Sequence, residues 1–496
     1  MDVQPISQPL DAVEADWLAL GLFEGQVEPP ASIEGAPLGD LVGRLLAGKE
    51  VPGGLGETTP LLGHAGLPAG SVLLFGLGPR ERFDAGAAYA AGAAVARRLA
   101  GKPRDSVAVA LPESGDPRAI ASALTEGVIV GTRGPDLRKS EPGRHPFGTL
   151  QVVADPDRVP GRDLREAVRR GEVVGTAINL ARDLANLPPA EKPPAHLAQL
   201  ARRSGSVAGV EVTVWDEDRI RQERFGGVLG VAAGSDAPPA FVVLEYRQGG
   251  DGPTLALVGK GVTFDSGGLC LKPSSSMEDM KSDMTGAAVV LATMQAVARL
   301  KLPVNLSGYL VLTENMTGGK AMKMGDVLTT RNGKTVEVQN TDAEGRLILA
   351  DALSYAAEHK PARILDLATL TGSCIVALGT KVAGLFSNDD DFARDVLAAC
   401  RATGERAWRM PLDEDYQEAL KSNVADLKNV GGKWGGAITA AKFLEQFVAA
   451  VPWVHLDIAG PSWVDSDGAT CDAGGTGCFV RTLVALVEAS VRDGPS

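Results

Sequence analysis

The 496-residue sequence holds only five cysteines, Cys270, Cys374, Cys400, Cys471 and Cys478, scattered and without a C-x-x-C pair. That excludes a disulfide framework and points to a reducing compartment. Histidine is equally scarce. His64, His145, His196, His359 and His455 show no ligand spacing and no H-E-x-x-H occurs, which disfavours a histidine-type zinc site. No apolar run reaches the roughly 18 residues of a membrane span. The longest, such as TGAAVVLATMQAVA, carry polar positions and read as buried helices. The amino end, MDVQPISQPLDAVEADWLAL, has no basic stretch ahead of an apolar one, so it does not read as a secretory signal, and the expected location is the cytoplasm. Basic residues are outnumbered 49 to 62, a net charge of −13 that makes the chain a poor generic partner for nucleic acid or anionic membrane. The 60 glycines and 31 prolines stay below a low-complexity composition, and no internal repeat is present.

With 44% hydrophobic and 22% charged residues the chain is globular, and its length predicts two or three domains. Strand-like and helix-like patterns alternate along it, which predicts an α/β fold with a mostly parallel sheet covered on both faces. SVLLFGLG (71–78), SVAVALPE (106–113) and GTLQVVAD (148–155) read as strands, and AGAAYAAGAAVARRLA as a helix. The GLG at 76–78 lacks the rest of a nucleotide-binding fingerprint and reads as a plain turn. A long helical pattern over 163–186 stops at Leu-Pro-Pro, and LPPAEKPP (187–194) marks a domain boundary. The expected layout is an N-terminal α/β domain over 1–162, a linker helix with its Pro-rich boundary over 163–194, and a larger α/β domain over 195–496. In the last, TLALVGKG (254–261) reads as a short buried strand ending at Lys260. VNLSGYLVL, RILDLATL and WVHLDIAG are further strands, with helices near 276–299, 345–359 and 436–450 between them. Asn332-Gly333, between VLTTR and KTVEV, signals a two-residue hairpin.

Sites in open α/β sheets lie at the carboxyl ends of strands. There the segment KGVTFDSGGLCLKPSSSMEDMKSDMTGAA supplies Lys260, Asp265, Lys272, Asp279 and Asp283. Ser275-x-x-Glu278 reads as a capping box, and the four-residue spacing puts Asp279 and Asp283 on one helix face. The stretch NTDAEGR adds Asp342, Glu344 and Arg346 at the mouth of the next helix. Asn340, Thr341 or Asp342 could cap that helix, with Glu344 closing a capping box on Thr341. Charges set among glycine and apolar positions at a strand end point past solvation to a metal or phosphate site. Carboxylates in number suit hard or borderline divalent ions, and four of them balance two. A two-metal centre of that kind activates water for attack on a carbonyl or a phosphoryl group, and the carboxylate set alone would allow a two-metal phosphoesterase.

VGKGVTFDSGG, KSDMTGAA, NTDAEGRL, DLATLTG, NVGGKWGGAITAAKFL and WVHLDIAG together resemble the leucine aminopeptidase (cytosol aminopeptidase) family of dinuclear metallopeptidases, over residues 170–490. The resemblance implies a small macro-like N-terminal domain and a catalytic domain that releases N-terminal residues, leucine or similar apolar ones, from peptides by attack of a metal-bridging water or hydroxide. It implies that Lys260, Asp265, Asp283 and Glu344 hold the tighter metal, and Asp265, Asp342 and Glu344 the more exchangeable one. The ions would be Zn2+ or Mn2+, with Mg2+ a further candidate. Lys272 would stabilise the tetrahedral gem-diolate and Arg346 would hold a bicarbonate acting as general base. Met280, Asn340, Thr369, Leu370, Gly372, Ala459 and Ser462 would contact substrate, Ser462 standing where relatives often carry a larger apolar side chain. Cys471 and Cys478 also depart from many relatives. A homohexamer, a dimer of trimers, is implied too, and some relatives bind DNA as a second role, which the negative charge argues against.

Overall fold

The computed structural model describes residues 1–51, 53–63 and 68–492; His64 lies outside them. Two compact units result. One holds Met1–Asn179, Ala402–Gly404 and Ser466–Ala473, and the other takes the rest of the described chain.

The first unit is built on six strands: β1 (Asp2–Ser7), β2 (Trp17–Leu22), β3 (Thr58–Leu62), β4 (Ser71–Gly76), β5 (Ser106–Ala110) and β6 (Thr149–Ala154). Their order is β1-β6-β5-β2-β4-β3, and every neighbouring pair is parallel except β3 with β4. Helices Ala85–Leu99 and Pro117–Gly131 start where Asp84 and Asp116 accept a first-turn N–H. Gly78, at φ +75°, closes the GLG turn. The long helix Gly161–Asn186 ends just before Leu187-Pro188-Pro189, because proline has no N–H to continue the ladder.

The second unit contains β7 (Glu211–Trp215), β8 (Ala240–Arg247), β9 (Thr254–Asp265), β10 (Asn305–Asn315), β11 (Val327–Thr329), β12 (Thr335–Glu337), β13 (Arg363–Ala368), β14 (Ala383–Ser387), β15 (Ala407–Arg409), β16 (Leu427–Lys428) and β17 (Trp453–Asp457). Eight of these form one sheet in the order β15-β14-β17-β13-β9-β10-β8-β7. The central four are parallel and almost wholly buried, as a sheet covered on both faces requires. Trp215, Phe225, Phe241, Tyr309 and Tyr355 form one connected aromatic cluster of the core. β11 and β12 make the antiparallel hairpin signalled by Asn332-Gly333, with Gly333 at φ +88° and a connection longer than two residues.

Three local readings are corrected. β9 does not stop at Lys260. It runs on through Val262, Thr263 and Phe264 to Asp265, because these β-prone residues stay paired with β10 as far as Asn315. The helix near 276–299 is broken. A single turn, Ser274–Met277, and a 3-10 turn, Met280–Ser282, precede the true helix at Thr285–Leu300. Glu278 therefore ends the first turn instead of closing a capping box with Ser275, and Asp279 and Asp283 flank the 3-10 turn without sharing a helix face. Finally, helix Glu344–Glu358 has Ala343 at its N-cap and no side-chain cap bond. Neither Asn340, Thr341 nor Asp342 caps it, and Glu344 is its first residue, with its carboxylate turned to other work.

Candidate metal centre

The central strands of the large sheet end at one level. Leu367 of β13 pairs with Gly259 of β9, and Ala368 pairs with Asp457 of β17. Lys260 therefore sits where β13 and β17 give out, while β9 continues and carries Asp265 beyond them. Gly259 lets helix Thr285–Leu300 press on the strand, since a Cβ there would fall 2.6 Å from Ala287 Cα. Helix Glu344–Glu358 approaches Lys260 itself just as closely: a Cβ on Gly345 would lie 2.7 Å from Lys260 Nζ. A side chain at the glycine of NTDAEGR would push the end of Lys260 away from its partners.

Around that point the sequence-predicted residues converge. Lys260 Nζ, fully buried, donates to Asp283 Oδ1 at 2.8 Å and to the Thr369 carbonyl at 3.0 Å, and lies 2.9 Å from Glu344 Oε1. Lys272 Nζ lies 2.9 Å from Asp265 Oδ2 and 2.5 Å from Asp342 Oδ1. Asp265, Asp342 and Glu344 each bring a carboxylate oxygen to within 4.8 Å of the others, the arrangement of a group that could hold a metal ion. Asp283 joins through Lys260. Asp279 has no part in this set; burial raises its carboxyl pKa and the ammonium of Lys281 opposes it.

The electrostatics are those of a site short of positive charge. Four carboxylates face two ammonium groups. Burial, then the Asp265 carboxylate, pushes Glu344 up to about 8, and burial pushes Asp283 up to about 6 against the pull of Lys260. Burial and the hydrogen bond from Lys272 oppose each other at Asp342, and the net direction is upward. Burial alone would lower Lys260 and Lys272, but the carboxylates around them outweigh it and hold both ammonium groups above the usual lysine range. Even so, Asp283 Oδ2 and Glu344 Oε2 are buried with no donor among the described residues. A buried acceptor without a donor costs about 1–3 kcal/mol, more when charged. Oxygen-rich, carboxylate-dominated and under-neutralised, this donor set fits divalent cations.

Arg346 stands apart from the carboxylates. It is buried, its Nη1 donates to the Asn429 carbonyl at 2.8 Å, and its Nε has no acceptor among the described residues. Burial lowers its pKa to about 10, with Glu344 and Asp457 acting the other way. A guanidinium with an unfilled donor suits a planar oxyanion.

The remaining candidates come from four segments of the chain. Thr369 Oγ1 donates to Asp283 Oδ1 at 2.7 Å. Leu370 N–H and Ala459 N–H both donate to Asp457 Oδ1 at 3.2 Å. Asn340 Oδ1 accepts from Asp342 N–H at 2.9 Å, which sets the turn before the helix. Met280 opens the 3-10 turn that ends at Asp283, and Gly372 opens helix Gly372–Leu378 as an exposed residue. Ser462 is buried, its hydroxyl directed to the Ala459 carbonyl at 3.4 Å.

Four supporting residues were given no part in the site, although Thr341 lies in NTDAEGR, Asn429 in NVGGKWGG and Asp457 in WVHLDIAG. Asn315 donates to Asp265 Oδ1 at 2.8 Å and to the Thr341 carbonyl at 3.0 Å. Thr341 Oγ1 donates to the Gly267 carbonyl at 2.7 Å and accepts from Cys270 N–H at 2.8 Å, tying NTDAEGR to the loop after β9. Asn429 Nδ2 donates to the Asn340 carbonyl at 2.7 Å while its Oδ1 accepts Gln339 N–H at 2.8 Å. Asp457 takes the Thr371 hydroxyl at 2.7 Å. Their signal was present but weak: each is a polar residue at or just beyond a strand end, where burial forces it to find partners.

Comparison with known proteins gives the family. The model of the cytosol aminopeptidase family, catalytic domain, matches residues 179–484, and that of the family's N-terminal domain matches residues 19–140. A protein of Rhodopirellula baltica named probable cytosol aminopeptidase is 47% identical over 88% of this chain and 85% of its own length. One of Solibacter usitatus with the same name is 44% identical over 97% of both. Among solved structures, the bottromycin maturation enzyme BotP in complex with Mn superposes with a TM-score of 0.85 at 36% identity, over 96% of this chain and 100% of that one. A tomato leucine aminopeptidase mutant gives 0.86 at 35%, over 98% and 96%. The phosphoesterase alternative falls with these matches, and the chain belongs to the cytosol aminopeptidase family, as a peptidase hydrolase of the metal-dependent aminopeptidase kind.

Proposed function

We propose that this protein removes single residues from the amino ends of peptides, leucine or similar apolar residues first, at a centre of two divalent ions. The observation that carries the reading is the cluster of Asp265, Asp342 and Glu344 oxygens within 4.8 Å of one another, beside buried oxygens of Asp283 and Glu344 that no donor among the described residues satisfies. Lys260, Asp265, Asp283 and Glu344 would hold the tighter ion, and Asp265, Asp342 and Glu344 the exchangeable one, with Zn2+, Mn2+ or Mg2+ as occupants. Bound there, such ions polarise a scissile carbonyl and make a water nucleophilic at neutral pH.

The protein's own groups would do the rest. Lys260 must give up its proton to act as a ligand, and a dication beside it reverses the electrostatics that now hold the ammonium. Lys272, at the mouth of the cluster, would turn its N–H donors from Asp265 and Asp342 to the carbonyl oxygen as charge develops on it. Arg346 would bind and orient a bicarbonate, whose chemistry is that of a general base. Asp457, by holding Leu370 and Ala459, would set one wall of a pocket completed by Met280, Asn340, Thr369, Gly372 and Ser462. The same reading carries a cytoplasmic homohexamer, a dimer of trimers, with domains at 1–162 and 195–496 joined by 163–194.

The test is metal analysis of the purified protein beside a panel of amino-acid anilides. Two ions per chain and fastest release from the leucine anilide, abolished by a chelator and restored by Mn2+, are expected. Chelator-resistant turnover would end the metal reading, and a preference for charged residues would end the assignment of the pocket.

A further inference from the structure

The Pro-rich boundary holds a cation that the metal centre does not account for. Lys192, in LPPAEKPP, is completely buried, yet no carboxylate among the described residues is bonded to it. Its Nζ donates to three backbone carbonyls: Leu184 at 2.7 Å, Ala185 at 3.0 Å and Lys281 at 2.6 Å. The first two are among the last carbonyls of helix Gly161–Asn186, which have no intrahelical partner and lie at the negative end of the helix dipole. A cation there is favourable, but ending a helix does not require burying one, since glycine or water does so at less cost. The third acceptor is the informative one. Lys281 lies in the middle of the 3-10 turn Met280–Ser282, two residues before Asp283.

Among the described residues the turn's other backbone-directed side-chain bonds are local, although Lys281 Nζ also lies 5.4 Å from the Trp463 ring centroid and Asp283 at its end is bonded to Lys260. Ser282 Oγ donates to the Asp279 carbonyl at 2.7 Å and Thr285 Oγ1 to the Ser282 carbonyl at 2.6 Å, both three residues apart in sequence. Lys192 supplies a bond from 89 residues away, and it does so from a rigid mount. Pro188 and Pro189 precede it, Pro193 and Pro194 follow it, and its own N–H donates to the Pro189 carbonyl at 3.1 Å. Burial, then the neighbouring Lys281 ammonium, lowers its pKa to about 7. Three carbonyl acceptors on one nitrogen favour the charged form against that pressure.

We infer that Lys192 is a positioning residue: it ties the end of the linker helix to the turn that carries Met280 and Asp283, and so presets one metal ligand and one wall of the substrate pocket. The inference rests on the reading of Asp283 as a ligand. Loss of such an outer partner typically weakens metal binding about 10–100-fold.

The experiment measures Mn2+ dissociation constants by equilibrium dialysis on full-length protein stripped of metal, for the parent, Lys192→Met, Lys192→Arg and Asp283→Asn. Thermal melting of the metal-free forms is followed alongside. Lys192→Met should weaken the tighter ion by about 10–100-fold and raise KM for the leucine anilide. Lys192→Arg should recover most of the metal-free melting temperature but not the affinity, because a planar guanidinium cannot aim three N–H groups at carbonyls converging on one nitrogen. If Lys192→Met does not fold, Lys192→Arg decides on the same criterion. Parental Mn2+ affinity in a folded Lys192 variant, while Asp283→Asn loses the ion, overturns the inference alone. Parental affinity in Asp283→Asn overturns the ligand reading beneath it, and the inference falls with it.

Discussion

In the N-terminal unit the buried Glu126 faces Arg170 at 2.8 Å and the Ser122 hydroxyl at 3.0 Å, and Asp472 is gripped by Arg97 and Arg144. In the other unit Asp283 and Glu344 share the ammonium of Lys260, and each keeps an oxygen that nothing among the described residues donates to. Both arrangements bury carboxylates, but the partner differs in kind. A guanidinium is always charged and closes a carboxylate with a fixed fork of donors, whereas an ammonium is compact and can be made to give up its proton. The arginine-matched sites are finished as folded. The lysine-matched site is left short of positive charge, in a form that a dication can complete. Asp351 is a third case within the catalytic unit. It sits seven residues after Glu344 on the same helix, and its oxygens accept Val228 N–H at 2.9 Å and Arg331 N–H at 2.8 Å. It too is complete without a cation.

The comparison breaks first at the bridging candidates. Asp265→Ala or Glu344→Ala should abolish peptide hydrolysis and drop bound metal below two ions per chain, as read by elemental analysis. Two ions with near-parental turnover in either variant would return these carboxylates to the finished class. Arg346→Ala should keep both ions and lose roughly 10²–10⁴ in turnover, the range for loss of a general base. Added bicarbonate should stimulate the carbonate-depleted parent but hardly the variant, and Arg346→Lys should not restore full rate. Parental rate and bicarbonate response would leave Arg346 a partner of Asn429 and nothing more.

Lys272→Ala comes next. It should lower kcat by about 10²–10³ and change KM less, because its donors matter where charge develops. An unchanged kcat would remove it from the mechanism. On the finished side, Glu126→Gln should cost about 1–3 kcal/mol of stability, since Arg170 is partly solvated, and leave both metal content and kcat at parental values. A loss of bound metal there would blur the distinction between the units.

The smallest and most discriminating effect concerns pH. Burial raises Asp351 to about 7, well above the ordinary carboxyl value near 3.8. Between those values the folded chain binds the extra proton, so the stability linked to this group is present at low pH and is lost as pH rises through about 7. Melting curves of metal-free Asp351→Asn and parent should therefore draw closer together from pH 4 to pH 7. A gap that is constant over this range would mean that Asp351 ionises normally despite its burial.

Much of the centre was legible because its chemistry is concentrated in short segments. Lys260, Asp265 and Lys272 lie within thirteen residues, and Asp342, Glu344 and Arg346 within five, each at a recognisable strand or helix end. Local conformation was less legible at the same places. The 276–299 pattern has helical periodicity, but the chain needs a 3-10 turn to aim Asp283 at Lys260, and that need arises from β9 and not from the turn's own residues. The NTDAEGR acids look like helix caps because short polar side chains there usually are. In the folded chain Glu344 is committed to Lys260, and Asn340 serves Asp342 instead of the helix.

Taken alone, the sequence determined the α/β pattern, the family, and the short list of carboxylates and cations from which a site could be made, since strand and helix periodicity and compact motifs are local properties. Only the tertiary structure decided which charges meet. It aligned the ends of β9, β13 and β17, brought Asn315 and Asn429 behind the motif from elsewhere in the chain, excluded Asp279 and set Lys192 under the 280–283 turn. The physical reason is that a buried polar group takes its partners from whatever folding places within about 3 Å, and that distance is unrelated to separation along the chain.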